Sequence, residues 1–299
     1  MAVFAYRNGD WLVMINSDDG SKIRKTESPE PVSSFPESMD VKITDYCDAG
    51  CAWCHEDSTV KGRHGNLDRV IDLYRQLPQG VEIAIGGGNP LAHPEIEPFL
   101  SELDSMNVLA NITVNEIHAH RKGISEMIDG WMERGLVKGV GYSMSSRAPK
   151  FTNKNNVVVH LIAGINSLSD IKKCMDEGFE KFLILGYKRF RRGEHYESKM
   201  GERVRRNIHE WKTSLPFIVG AGIQVSMDNL AIRQLEPFRW MKKDVYDQVY
   251  MGDDGEHTMY FDAVENMVAL TSTSSVRFQN TGNTEDNFRL VRCTKNIAA

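Results

Sequence analysis

From Met39 onward, apolar runs of strand length alternate with longer stretches of helical periodicity, and that order admits few folds. Strands are expected at about Val41–Thr44, Glu82–Ile85, Leu109–Val114, Val137–Ser143, Val157–Ile162 and Phe182–Gly186. Between and after them, helices are expected at about Leu67–Leu77, Pro94–Ser105, Ile124–Arg134, Ser169–Glu177 and Glu202–Thr213. Strand, helix and strand in succession imply parallel pairing through right-handed crossovers. Five or six such units predict an α/β chain in the form of an open, partial TIM-type (β/α)6 barrel, with its functional loops at the C-terminal ends of the strands.

The flanks differ from this core. Ala2–Tyr6 and Trp11–Ile15 surround the turn Asn8-Gly9-Asp10 and predict a short N-terminal β-hairpin. A linker rich in proline and serine follows, from Ser28 to Pro36, where neither a helix nor a central strand can run. After Ser214 the alternation ends. Phe217–Ser226 is expected to add one strand and Thr258–Asp262 with Met267–Thr271 a hairpin, within an otherwise irregular C-terminal tail. The expected organisation is therefore residues 1–38 as hairpin and linker, 39–214 as barrel core and 215–299 as an extension packed on the barrel. There is no internal repeat and no low-complexity tract.

With 299 residues, 41% apolar and 26% charged residues and a formal net charge of −5, the chain has the composition of a globular enzyme and lacks the basic balance of a nucleic-acid binder. No apolar run reaches the ~18 residues that span a bilayer, and no secretory signal pattern opens the chain, so a cytoplasmic location is expected.

Three of the five cysteines crowd into Cys47-Asp48-Ala49-Gly50-Cys51-Ala52-Trp53-Cys54-His55, directly after the first expected barrel strand. Clustered thiols of this kind bind metal or do redox chemistry more often than they form a disulfide framework. Thiolates suit zinc or an iron–sulfur cluster. Zinc needs a fourth ligand, for which His55 and His64 are the candidates, and the chain would then be a non-enzymatic zinc-binding or interaction module. A [4Fe–4S] cluster held by only three cysteines keeps one iron open to a small-molecule chelator.

This CxxxCxxC loop on a partial barrel resembles the radical S-adenosylmethionine (SAM) superfamily, over roughly Val41–Gly186. The resemblance implies that Cys47, Cys51 and Cys54 hold a [4Fe–4S] cluster whose open iron binds SAM. Reductive cleavage of SAM would then give a 5′-deoxyadenosyl radical that abstracts hydrogen from substrate. It further implies that Trp53 lies against the adenine. Gly86-Gly87-Gly88-Asn89-Pro90 resembles the family's Gly-Gly-Glu-Pro motif, with Asn89 where glutamate is usual. An asparagine carbonyl accepts from the SAM ammonium but contributes no charge. By the same resemblance Thr113 and Asn115 end the third strand, and Ser143 and Ser145 the fourth, with Ser143 toward the ribose. Asn166 is similarly placed after the fifth. A one-electron donor such as flavodoxin or ferredoxin is implied as partner, with a small-molecule or peptide substrate.

Cys174 and Cys293 stand alone, so no second cluster can be assembled within one chain. Lys188–Lys212 holds nine Lys or Arg against four Glu, beginning just after the sixth strand. A charge run is commonly a solvated face. If it points inward, Lys188, Arg191 and Arg192 would anchor an anionic substrate, because arginine matches carboxylate and phosphate with paired donors.

Overall fold

A computed structural model of the chain describes residues 2–294; residue 1 and residues 295–299, at the ends of the expected 1–38 and 215–299 segments, lie outside the described residues. The expected hairpin is a three-stranded antiparallel sheet, β1 (Val3–Asn8), β2 (Trp11–Asn16) and β3 (Lys22–Lys25). The third strand, Lys-Ile-Arg-Lys, carries too little apolar signal to be read from sequence.

The alternation then runs as β4 (Ser38–Thr44), α1 (Leu67–Tyr74), β5 (Glu82–Gly87), α2 (Ile96–Ser105), β6 (Leu109–Asn115), α3 (Glu116–Ala119), α4 (Ile124–Glu133), β7 (Gly139–Ser143), β8 (Val157–Ile162), α5 (Leu168–Asp176), β9 (Lys181–Leu185), α6 (Arg192–Gly220) and β10 (Gln224–Met227). All seven strands β4–β10 pair in parallel in chain order. The tail continues as α7 (Asn229–Leu235), α8 (Lys243–Val249), β11 (Thr258–Asp262), β12 (Met267–Ala269), β13 (Arg277–Gln279) and α9 (Thr284–Arg292). The resulting ten-stranded sheet has the order β10-β9-β8-β7-β6-β5-β4-β11-β12-β13.

Two expectations are corrected. The segment after Ser214 is not irregular, because β11 pairs in parallel with β4 and carries β12 and β13 beyond it. The strand expected over Phe217–Ser226 is half helix: α6 continues to Gly220, with Phe217 78% exposed, and only Gln224–Met227 joins the sheet. Apolar residues on the last helical turn imitate a strand in sequence. The sheet is also not a closed barrel. β10 and β4 share no ladder, and side chains bridge the gap between α7 and the segment before β11, where Asn229 donates to Asp254 at 2.8 Å and Arg233 lies 3.6 Å from it.

Burial alternates along β5, β8, β9 and most of β6. Ile83, Ile85, Ile112, Val114, Val140, Val159, Leu161, Phe182 and Ile184 are buried on the face that packs against the helices. Their neighbours, including Asn111, Thr113, Ser143 and His160, face a cavity. Among the described residues no helix is long and apolar enough to cross a membrane.

Candidate functional site

The cavity has a volume of about 780 Å³, within the range of small-molecule sites. It runs from the N-terminal ends of the strands, lined there by Asp18, Asp19, Lys138 and Lys181, to their C-terminal ends, where the loop between β4 and α1 carries the three cysteines. That loop folds back on itself: Cys47 N–H donates to the Thr59 carbonyl at 2.9 Å, Asp45 N–H to Arg63 at 2.8 Å and Thr59 N–H to Asp45 at 3.1 Å. Cys51, Trp53, Cys54 and His55 line the cavity mouth, whereas Asp48, Gly50 and Ala52 face outward. Burial raises the thiol pKa of Cys47 and Cys51, and the charge of Cys54 raises both further, which places the three sulfurs within electrostatic reach of one another. The Asn115 amide donates to Cys51 Sγ at 3.6 Å. Among the described residues no three His, Cys, Asp or Glu side chains converge on a point that a single metal ion could occupy.

The glycine run after β5 packs against the start of this loop. Gly88 N–H donates to the Thr44 carbonyl and Asn89 N–H to that of Tyr46, each at 2.7 Å. A Cβ on Gly88 would fall 2.2 Å from the Tyr46 oxygen, and one on Gly87, at φ +109°, 2.6 Å from that of Thr44. Glycine is required at 87 and 88 by the crossing of two backbones. Gly86 differs, since a Cβ there would meet nothing within 4 Å and would project into the cavity. Asn89 is buried, and its Oδ1 has no hydrogen-bond partner.

Of the other expected contacts, Thr113, Asn115 and Ser143 line the cavity. Asn115 is also fixed as the N-cap of α3, with Oδ1 accepting from Ile117 N–H at 2.9 Å. Trp53 packs edge-on against Tyr196 at 5.6 Å between ring centres. Ser145 lies apart from the cavity lining: its N–H, with those of Ser146 and Arg147, donates to Glu116 Oε2 at 2.7–2.9 Å. Asn166 is likewise structural, its Oδ1 accepting from Ile162 N–H at 2.8 Å. Glu116 was not legible in sequence. Burial opposes its ionisation, yet the three N–H donors and Arg147 outweigh that and bring its pKa from 4.5 to about 2. A carboxylate lowered on folding stabilises above its unfolded pKa and loses that contribution as pH falls through the folded value. Glu116→Gln is therefore expected to melt below the parent at neutral pH, with the difference closing as pH approaches about 2.

The basic run is divided by the structure. Lys188 lines the cavity and donates to Ser272 Oγ at 2.9 Å and lies 3.1 Å from His55 Nε2. Burial and the Lys188 charge lower the pKa of His55, while Glu56, 3.4 Å from the same Nε2, opposes them. Arg191 and Arg192 are not among the lining residues. Arg191 donates to the Glu56 carbonyl, and Arg192 donates to the Ser58 carbonyl at 2.8 Å and pairs with Asp57. Both hold the far arm of the cysteine loop, so the anionic-substrate expectation retains only Lys188 inside the cavity.

Sequence reasoning also missed a charged cluster beneath the loop. Lys42, on β4, lies 2.7 Å from Asp45, 2.8 Å from Asp262 and 3.6 Å from Glu56. Burial raises the Glu56 pKa, but His55 and the charges of Lys42 and Lys188 bring it down to about 2. Asp262 and Tyr260, whose hydroxyl lies 3.5 Å from Glu56 Oε1, both come from β11. The tail thus supplies one wall of the site.

No known family profile and no curated protein sequence matches the chain. Its fold is shared with solved structures that include the following. Streptococcus suis SuiB bound to precursor peptide SuiA superposes with a TM-score of 0.61 at 12% identity, over 96% of this chain and 87% of that one. SuiB bound to S-adenosylmethionine and SuiB itself give 0.58 and 0.56, each at 12% identity over 93% of this chain and 84% of that one.

Proposed function

We propose that the chain is a radical SAM enzyme, with Cys47, Cys51 and Cys54 holding a [4Fe–4S] cluster at the mouth of the cavity. One observation carries the reading: the three thiols sit on a single loop at the strand ends, with Cys51 and Cys54 lining a large cavity and Cys47 beside them. His55 and His64 are engaged elsewhere, His55 near Lys188 and His64 with Thr44 Oγ1 at 2.9 Å, which leaves the zinc alternative without a closing ligand. The fold shared with a SAM-bound protein supports the same reading.

When bound, the cluster would supply the electron that cleaves SAM to methionine and a 5′-deoxyadenosyl radical. The chain's residues bind and orient. Asn89 lies outside the cavity lining, and its buried, unpartnered Oδ1 is the acceptor we assign to the SAM ammonium, while Gly86 leaves the space that a bound molecule would fill. Trp53 offers a ring face to the adenine, and Thr113, Asn115 and Ser143 offer polar groups along the same wall. The exposed edge at Asp48, Gly50 and Ala52 gives flavodoxin or ferredoxin an approach to the loop. We assign the partial-barrel description to the β4–β9 units and a cytoplasmic location to the protein.

Anaerobic purification, iron and sulfide analysis, and assay of reductive SAM cleavage test the reading. Four irons with matching sulfide and formation of 5′-deoxyadenosine are expected; a colourless protein with one zinc after reconstitution would overturn it. For the ammonium contact, Asn89→Ala is expected to weaken SAM binding by ~1.5–3 kcal/mol, as for a hydrogen bond to a charged group, measured calorimetrically on the reconstituted protein. Its thermal stability should not fall, because the variant removes an unsatisfied buried acceptor. Unchanged SAM affinity would remove Asn89 from the site.

A further inference from the structure

Asn115 ends β6 beside the cysteine loop, and both ends of its side-chain amide are engaged. As the N-cap of α3 it accepts through Oδ1 from Ile117 N–H at 2.9 Å, while Nδ2 donates to Cys51 Sγ at 3.6 Å, a separation that reflects the size of sulfur. The cap fixes which way the amide faces. A backbone N–H needs an acceptor, so a reversed amide would set donor against donor, and the Cys51 sulfur therefore meets the NH2 group.

The rest of this short helix holds the loop at the same place. His118, its side chain 1% exposed, donates from Nε2 to Asp48 Oδ1 at 2.8 Å, and Arg121 donates to Oδ2 of the same carboxylate at 2.8 Å. Asp48 lies between Cys47 and Cys51 in the chain, so the segment leading to Cys51 is tied to the helix whose cap faces its sulfur. The helix is anchored in turn, since Glu116 accepts from the backbone of Ser145, Ser146 and Arg147. On the loop side, the Cys51 carbonyl accepts from Cys54 N–H at 3.3 Å. The contact thus joins two groups that further hydrogen bonds hold in place.

We propose that Asn115 is a positioning residue that acts through Cys51: its amide donates to the thiolate that ligates the cluster and raises the potential at which the bound cluster accepts an electron. The proposal rests on the reading of Cys51 as a cluster ligand. Reduction adds negative charge that a cluster shares with its thiolates, so a donor at sulfur stabilises the reduced state more than the oxidised one. An aspartate at 115 would cap α3 equally well but would turn an anionic oxygen toward the sulfur. Partners of this kind, which touch a ligand and not the metal, orient the ligand and tune the centre. A polar group that served SAM alone would leave the potential of the SAM-free cluster where it is.

The test uses the anaerobically reconstituted full chain without SAM and reads the midpoint potential of the cluster by a redox titration followed by electron paramagnetic resonance, together with iron and sulfide content. Asn115→Ser keeps a capping oxygen and removes the amide donor, whereas Asn115→Asp keeps the cap and replaces the donor with an anion. In Asn115→Ser the reduction equilibrium is expected to move about threefold to tenfold toward the oxidised cluster, tenfold being about 59 mV for one electron, and in Asn115→Asp to move further in the same direction. Both variants should melt close to the parent, because each retains the cap. A potential unchanged in Asn115→Ser, or a shift in the opposite direction, would overturn the proposal, and an unchanged potential with weaker SAM binding would assign Asn115 to SAM alone. A parent that takes up the cluster and cleaves SAM while both variants keep its potential defeats only this inference. A parent whose cluster shows the ordered shift but forms no 5′-deoxyadenosine defeats the radical SAM reading and leaves Asn115 as a cluster residue; a parent that takes up no cluster overturns both.

Discussion

Replacing any one of Cys47, Cys51 and Cys54 with alanine is expected to reduce cluster iron and sulfide to background and to abolish SAM cleavage, while circular dichroism and thermal melting stay close to those of the parent. The three side chains are partly exposed on a loop held by its own backbone hydrogen bonds and by Arg191 and Arg192, so none supports the hydrophobic core. Cys174→Ala is the contrasting case. Its thiol is fully buried against Met144, and its replacement should leave cluster content intact. Retention of full iron by any of the three loop variants would show that the metal is held elsewhere. Arg192→Gln, by the same logic, is expected to lower cluster retention more than substrate binding, because its donors hold the loop; normal cluster content with lost substrate turnover would restore Arg192 to a substrate role.

Lys42→Met is expected to cost about 3–5 kcal/mol of stability, the range for removing one member of a buried ion pair, and to lower the melting temperature by roughly 10 °C. The lysine side chain is 5% exposed, and its loss leaves Asp262 at 2% and Glu56 at 8% exposure with much less compensation. Burial disfavours the Lys42 charge, but contacts with Asp262 and Asp45 outweigh that and raise its pKa. Combining Lys42→Met with Asp262→Asn should recover part of the loss, since one stranded charge is then removed. A change smaller than about 1 kcal/mol in the single variant would mean that water reaches these carboxylates and that the cluster is a surface feature.

The alternation of apolar strands with helical periods determined the parallel order β4–β9, because each strand must bury one face against the helix that follows it and the crossover permits one hand. The position of the cysteine loop followed from the same pattern, as it directly succeeds the first of those strands. Glycines at 87 and 88 were visible in sequence, but the reason for them was not: they allow two backbones to cross, whereas Gly86 leaves open space in the cavity.

Tertiary structure alone decided the rest. Strand pairing of β11 with β4 joins residues more than 200 positions apart, and no local periodicity encodes a partner at that distance. That pairing brings Asp262 and Tyr260 to Lys42 and Glu56 and so makes the tail part of the site. The fate of the basic run was equally non-local. Lys188, Arg191 and Arg192 lie within five residues, yet the turn into α6 directs the first into the cavity and the other two onto the loop. One local signal did exist for the cavity wall. Asp40 and Lys42, or Asn111, Thr113 and Asn115, are polar residues at every second position of otherwise apolar strands, and period-two alternation puts them on one face. Sequence thus contains the two faces of the sheet; whether the polar face meets bulk water or encloses a cavity depends on how the sheet curves, and that is set by contacts between its distant edges.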